Sequence, residues 1–279
     1  LARLQTLGLR LAEAGEFTRR AFENGKLDLL AVEGLGDLLG AETERQRKQA
    51  LARYDGQLSV EVEQWREALL DLRSEIEARL DFSDEGDVAD DLPASFANDL
   101  DGLRSTIEAV LASFNSGRIV REGIRVAIAG APNAGKSSLI NALARSDIAI
   151  VSDEAGTTRD VREVPLDIGG QLFILLDLAG LRETQSKAEA EGIRRAERAI
   201  ADADIVLWLE APDVPQIARP DFAGEVLVLA TKADLNATAK NSDLALSAET
   251  GQGLEALVQW LGSAGERLAG GEPPLISHE

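Results

Sequence analysis

The first part of the chain carries a helical pattern of apolar residues. Between residues 27 and 80, Leu, Val and Ile recur three or four positions apart, which places them on one face of a helix. Gly56 is the only Gly between residues 41 and 80, and no Pro occurs before Pro93. A further helical segment, FANDLDGLRSTIEAVLASF, spans residues 96–114. The pattern predicts paired long helices in an all-α domain.

The pattern changes after residues 117–123. The stretch IRVAIAG, residues 124–130, is a short β-branched run that ends at Gly, which is typical of a buried strand. Helical stretches separate several later runs of this kind, at residues 161–168, 171–177, 203–209, 225–231 and 243–248, and a last helix is predicted at about 253–268. Strands that alternate with helices predict an α/β domain with a mostly parallel sheet and helices on both faces. Gly169 and Gly170 predict a hairpin, which puts one antiparallel strand at an edge.

Length and composition limit the number of domains and the kinds of catalytic and metal sites that the chain can contain. The length of 279 residues suggests roughly two domains. Cys is absent and the single His is His278, which excludes disulfides, thiolate metal sites and Cys- or His-based catalysis within this chain. We find no secretory signal and no apolar run of about 18 residues, so we expect a cytoplasmic protein without a membrane partner. Met is absent even at residue 1, so we expect the chain to be part of a longer protein.

The charge is strongly acidic. Asp and Glu number 49 against 29 Lys and Arg, a net charge of −20, and residues 81–101 hold eight acids and no base. Proteins that bind nucleic acid neutralise phosphates with clustered Lys and Arg. If RNA is a partner, we expect most of the Lys and Arg residues that contact its phosphates to lie elsewhere.

Residues 130–137, GAPNAGKS, match the phosphate-binding loop pattern G-x-x-x-x-G-K-[ST] in full. A predicted strand precedes the loop and a predicted helix follows it, which is the context that the motif requires. Backbone N–H groups of such a loop converge on phosphate oxygens at a helix N-terminus. We expect Lys136 to reach the β- and γ-phosphates and the Ser137 hydroxyl to ligate Mg²⁺.

Asn133 raises a question of its own, because a small residue would complete the loop equally well. Asn133 is present either as a turn-forming residue or for its side-chain oxygen.

Two later segments predict recognition of guanine. TKAD, residues 231–234, follows a strand where P-loop GTPases carry N-K-x-D, and Asp234 can accept hydrogen bonds from the guanine N1–H and exocyclic amine. Lys232 is expected to lie along the base. SAETG, residues 247–251, supplies the Ala248 N–H for the base oxygen. Thr231 replaces the usual Asn, which we expect to weaken a brace between this loop and the phosphate loop.

The segments that should surround the γ-phosphate are DLAGL, residues 177–181, and SDEAGTTRD, residues 152–160. Asp177 is expected to hold Mg²⁺ through water, and Thr158 to ligate it directly. Leu181 stands where many GTPases carry a water-orienting Gln. Either the protein does not hydrolyse GTP, or a carboxylate further along takes this role; the candidates are Glu183, Glu189 and Glu191. The full set expected to contact GTP is Asn133, Ala134, Gly135, Lys136, Ser137, Ser138, Ser152, Asp153, Glu154, Ala155, Gly156, Thr157, Thr158, Asp177, Leu178, Ala179, Gly180, Thr231, Lys232, Asp234, Ser247, Ala248 and Glu249.

The set of motifs resembles the MnmE (TrmE) family of bacterial tRNA modification GTPases. The motifs that match are GAPNAGKSSLINAL, VSDEAGTTRD, DLAGLRET, EAEGIRRAERAI and SAETG, with GEFTRRAFENGKLDLLAVEGLGDLL and LDFSDEGDV upstream. The upstream matches separate the chain from other GTPases with a GTTRD segment, such as Era and Der. The resemblance covers essentially all 279 residues.

The resemblance implies K⁺-stimulated GTP hydrolysis by G domains that dimerise across their nucleotides. The implied catalytic residue is Glu189, and the implied K⁺ ligands are Asn133, Ser152, Glu154 and Thr157. It further implies a folate site for a 5-formyl-tetrahydrofolate-type ligand, to which Lys26 belongs. Leu178, in place of the family's Thr, is unexplained.

The implied organisation is a remnant of the N-terminal folate-binding domain at residues 1–22, a helical domain at 23–118, a G domain at 119–270 and a return to the helical domain at 271–279. The implied role is modification of the tRNA wobble uridine to its 5-carboxymethylaminomethyl form, with an MnmG-type flavoprotein. Two alternatives stay open: a ribosome-assembly GTPase of the Era/Der kind, and a nucleotide-gated scaffold that does not hydrolyse GTP.

Overall fold

The computed structural model describes residue 3 and residues 6–81, 91–150, 162–177, 198–219, 222, 224–235, 242–271, 274 and 276. The chain divides into two compact units. The helical unit comprises Leu1–Ala41, Arg47–Phe114 and Pro274–Ile276, and the sheet unit comprises Glu42–Gln46, Asn115–Pro273 and Ser277–Glu279.

Helices form the described part of the helical unit. They are α1 (Glu16–Glu23), α2 (Leu29–Gly40), α3 (Glu44–Tyr54), α4 (Gln57–Asp81) and α5 (Phe96–Ala112), with α3 entering this unit at Arg47. Asp28 caps α2, since its carboxylate accepts from the Ala31 N–H at 2.7 Å. Within the unit, α4 packs against α5. The all-α domain predicted from the apolar periodicity is confirmed.

The stretch between residues 27 and 80, predicted as paired long helices, is broken twice and forms three helices. Between α2 and α3, the backbone N–H groups of Glu42 and Thr43 both donate to the Gln46 side-chain oxygen at 3.0 Å. This side chain satisfies donors that a helix start leaves unpaired, so α3 begins afresh at Glu44. Gly56, with φ of 80°, lies between α3 and α4. Three helices therefore occupy the stretch in which periodicity shows no interruption.

The sheet unit contains a six-stranded sheet in the order β2-β3-β1-β4-β5-β6. The strands are β1 (Ile124–Gly130), β2 (Arg162–Ile168), β3 (Gln171–Asp177), β4 (Ile205–Glu210), β5 (Glu225–Ala230) and β6 (Leu244–Ala245). β2 runs antiparallel to β3, and the other pairs are parallel. The predicted hairpin forms at Gly169 and Gly170, whose φ angles of 65° and 82° suit glycine. It places the antiparallel strand at the edge, as predicted.

Helices cover both faces of this sheet, which confirms the predicted α/β class. Alternate residues of β1 point to opposite sides: Val126 and Ile128 join one cluster, and Ala127 and Ala129 join the other. The first cluster is completed by buried residues of α6 (Phe114–Glu122), α7 (Lys136–Ala144) and α8 (Leu254–Ala269). The second is completed by Ala199 and Ile200, which lie in helical residues 198–201.

Candidate nucleotide site

The loop that follows β1 has the geometry of a phosphate-binding loop. It starts at Gly130, where φ is 140° and a Cβ atom would clash with the Leu209 carbonyl oxygen of β4. Only glycine fits this close approach. The loop ends at Gly135, also at positive φ, and α7 begins at Lys136. Buried Leu139, Ile140 and Leu143 hold α7 against the sheet, so its N-terminus is fixed at the end of β1.

Lys136 already points across the loop. Its Nζ donates to the carbonyl oxygens of Gly130 at 3.0 Å and Ala131 at 2.8 Å. The ammonium thus bonds to the backbone of the loop itself, and a phosphate could replace these carbonyls as its acceptor. Ser137 and Ser138, in the first turn of α7, are exposed.

Asn133 is exposed and has φ of 65°. Asn adopts this left-handed conformation more readily than most residues, so the turn-forming explanation has direct support. The role as a K⁺ ligand stays a prediction, because its companions Ser152, Glu154 and Thr157 lie outside the described residues.

The loop after β5, residues 231–234 (the TKAD loop), is tied to the phosphate loop through Thr231. Its hydroxyl donates to the Ala134 carbonyl at 2.6 Å, and its N–H donates to the Glu210 carbonyl at 2.8 Å. The brace that Thr231 was expected to weaken is present, as a hydroxyl–carbonyl hydrogen bond. Thr231 and Ala134 are both buried, so the bond is shielded from water.

Asp234 is oriented by the second base segment. The fully buried Ser247 donates its hydroxyl to Asp234 Oδ1 at 2.6 Å, and the Ala233 N–H donates to the Leu246 carbonyl at 3.1 Å. These bonds hold the carboxylate against the end of β6. Ala248 is half-buried and Glu249 is exposed in the adjoining turn.

Asp177 is the last residue of β3 and is buried. Its partner in the parallel register is Ile128 of β1, so it lies beside the strand that leads into the phosphate loop. The other predicted γ-phosphate residues, Ser152–Thr158 and Leu178–Gly180, lie outside the described residues. So do Leu181 and the candidate bases Glu183, Glu189 and Glu191.

Lys26, predicted for a folate site, is exposed in the turn between α1 and α2. Its backbone N–H donates to the Ala21 carbonyl at 2.8 Å.

Asp213, which no motif predicted, forms an ion pair of 2.6 Å with Lys232. This hydrogen bond lowers the pKa of Asp213 below its ordinary value. Neither spacing nor residue pattern signals that contact.

A parallel-dominated sheet with a phosphate loop after β1 and the TKAD loop after β5 defines a P-loop nucleotide-binding domain of the GTPase type, here joined to a helical domain. No helix in the described portion of the chain is long and apolar enough to cross a membrane.

Comparison with known proteins identifies the family. The model of the MnmE helical domain matches residues 29–278. The tRNA modification GTPase MnmE of Rhizobium johnstonii is 50% identical over 268 residues, which are 95% of this chain and 61% of that protein. Its counterpart from Methylorubrum populi is 51% identical over 276 residues, 98% of this chain and 62% of that protein. The chain belongs to the MnmE family, as its motifs predicted, and spans about three fifths of the length of these curated relatives.

Among solved structures, Aquifex aeolicus Era is 26% identical over 53% of this chain and 57% of its own, with a TM-score of 0.40. At that score the likeness adds nothing to the assignment.

Proposed function

We propose that this chain binds GTP and hydrolyses it. The observation that carries the proposal is the hydrogen bond from Thr231 to Ala134, because it joins the loop that would read the base to the loop that would hold the phosphates. A ligand with a purine at one end and a phosphate chain at the other fits this arrangement. Membership of the MnmE family supports the same conclusion.

Guanine is the proposed base. Ser247 aims the Asp234 carboxylate, and a carboxylate pairs with the N1–H and exocyclic amine of guanine. Adenine offers no such pair, so the Asp234 carboxylate would find neither donor on that base.

Mg²⁺ is the proposed metal. The Ser137 hydroxyl is a hard oxygen donor of the kind that Mg²⁺ prefers, and Thr158 is proposed as a second. The Asp177 carboxylate is proposed to hold the ion through water. When bound, the ion would neutralise charge on the β- and γ-phosphates. Lys136 would add a second positive charge at the same oxygens.

For hydrolysis we propose Glu189 as the catalytic residue. We propose K⁺, bound by Asn133, Ser152, Glu154 and Thr157, as the source of positive charge across a dimer of G domains. We further propose the role of the family: modification of tRNA wobble uridine in the cytoplasm, with an MnmG-type flavoprotein and a folate held partly by Lys26. We also propose the domain boundaries: a remnant of the folate-binding domain at residues 1–22, a helical domain at 23–118 and 271–279, and a G domain at 119–270.

The test is GTP turnover in matched K⁺ and Na⁺ buffers, with ATP as the alternative substrate. We expect turnover of GTP, faster in K⁺, and loss of kcat in Glu189→Ala. Equal rates in the two salts would contradict the K⁺ site. A Glu189→Ala variant with full kcat would contradict the catalytic assignment. Tight GTP binding without turnover would instead support the nucleotide-gated scaffold. Family membership disfavours the Era/Der alternative.

A further inference from the structure

The ion pair between Lys232 and Asp213 is not explained by the motifs. Lys232 Nζ lies 2.6 Å from Asp213 Oδ2 and 2.8 Å from Oδ1, so the ammonium faces both carboxylate oxygens. The pair is partly exposed, with 28% of the lysine side chain and 48% of the aspartate side chain accessible. The hydrogen bond from Lys232 lowers the pKa of Asp213 below its ordinary value.

The sheet brings these two residues together. Asp213 follows β4 and Lys232 follows β5, and the two strands are parallel neighbours in the sheet. The Glu210 carbonyl, at the end of β4, accepts from the Thr231 N–H at 2.8 Å. This bond holds the segments that follow β4 and β5 side by side. Asp213 therefore borders the TKAD loop, although it is 19 residues from Lys232 in the chain.

Lys232 is held at both ends. Its φ of 57° is a left-handed conformation that it shares, among the described non-glycine residues, only with Asn133. The backbone thus directs the side chain, and Asp213 holds its charged head. Four methylene groups lie between these two anchors, and a free lysine stem would otherwise sample many rotamers.

We propose that Asp213 is a positioning residue of the guanine site, which holds the Lys232 ammonium so that the lysine stem is ordered to lie along the purine before the nucleotide binds. This inference rests on the proposed function, since it assumes that the TKAD loop reads a base. Asp213 acts through Lys232 and makes no contact with the base in this scheme. Ordering the stem in advance lowers the entropy lost on binding.

The experiment is a double-mutant cycle on the affinity for fluorescent GDP. It uses the 279-residue chain, Asp213→Asn, Lys232→Gln and the double variant. We expect Asp213→Asn to weaken binding about fourfold, the range of a partly exposed ion pair. In the Lys232→Gln background the same change should have no further effect. Glu266→Gln, which removes one exposed charge from α8, is the matched control and should bind as the unsubstituted chain does.

Unchanged affinity in Asp213→Asn, or an equal loss in both backgrounds, overturns the assignment. Inosine diphosphate adds a second measurement, because it keeps the purine ring but lacks the exocyclic amine that Asp234 would bind. The loss should be the same for GDP and inosine diphosphate, and a loss confined to GDP would also overturn the proposal. If the unsubstituted chain binds no GDP, the proposed function itself fails and this inference fails with it.

Discussion

The Thr231 hydroxyl donates a 2.6 Å hydrogen bond to the Ala134 carbonyl, 97 residues away in the chain. Thr231 follows β5, and Ala134 lies in the loop after β1. The two loops of the candidate nucleotide site are therefore joined directly to each other by a hydrogen bond of the chain itself. Thr231 makes this hydrogen bond at a position where the N-K-x-D motif of P-loop GTPases usually carries Asn.

Removing this hydroxyl tests the brace. We expect Thr231→Val to lower the free energy of unfolding by about 1–2 kcal/mol, because the buried Ala134 carbonyl would lose its partner. GDP affinity should fall too, since the two loops lose their common anchor. Urea unfolding and fluorescent GDP titration measure the two effects. Thr231→Ser keeps the hydroxyl and should retain both properties more closely; a Val variant as stable as the unsubstituted chain would show that the bond contributes nothing.

Lys136 tests the phosphate site. Lys136→Met keeps the length of the side chain but removes the ammonium that contacts Gly130 and Ala131. We expect GDP affinity to fall by at least about a hundredfold, because charge-assisted hydrogen bonds to phosphate are lost. Isothermal titration calorimetry measures the change. Lys48→Met, a change in the helical unit, serves as the control, and a Lys136→Met affinity within about twofold of the original would contradict the phosphate site.

Glu16 gives a pH prediction in the helical unit. Hydrogen bonds from Arg10 at 2.7 and 2.8 Å and from the Glu13 N–H at 2.9 Å lower the pKa of Glu16 from 4.5 to about 2. A carboxylate with a lowered pKa stabilises the folded state above its unfolded pKa. That contribution is lost as pH falls from 4.5 to about 2.

Carboxyl carbon shifts in an NMR titration report this pKa directly. We expect Glu16 to titrate near pH 2 and Arg10→Gln to raise its pKa towards the ordinary value. A Glu16 pKa near 4.5 in the unsubstituted chain would contradict the Arg10 contact.

Two glycines of α2 should respond oppositely to a methyl group. A Cβ atom at Gly34 would lie 2.6 Å from the Tyr54 backbone nitrogen, whereas one at Gly36 would meet nothing within 4 Å. Gly34→Ala should therefore force α2 and α3 apart and destabilise the chain by about 1–3 kcal/mol. Gly36→Ala should stabilise it by about 0.5–1 kcal/mol, because alanine favours helix. Thermal unfolding measures both, and equal behaviour of the two variants would contradict the close approach.

Much of the fold was predictable because it rests on patterns between nearby residues. The β-branched runs, the two glycines of the hairpin and the helical periodicity before residue 80 are local signals. The division of this stretch into three helices instead of a pair was not predicted. One break depends on the Gln46 side chain and the other on one glycine, and neither interrupts the apolar pattern.

The sequence by itself determined the class of the sheet unit, the phosphate loop and the family, because strand, loop and helix follow one another within a few residues around Lys136. The tertiary structure alone decided which distant residues meet. Strand order and register bring Thr231 to Ala134 and Lys232 to Asp213. Such contacts leave no periodic or spacing signal in a single chain, since each is set by the packing of neighbouring strands.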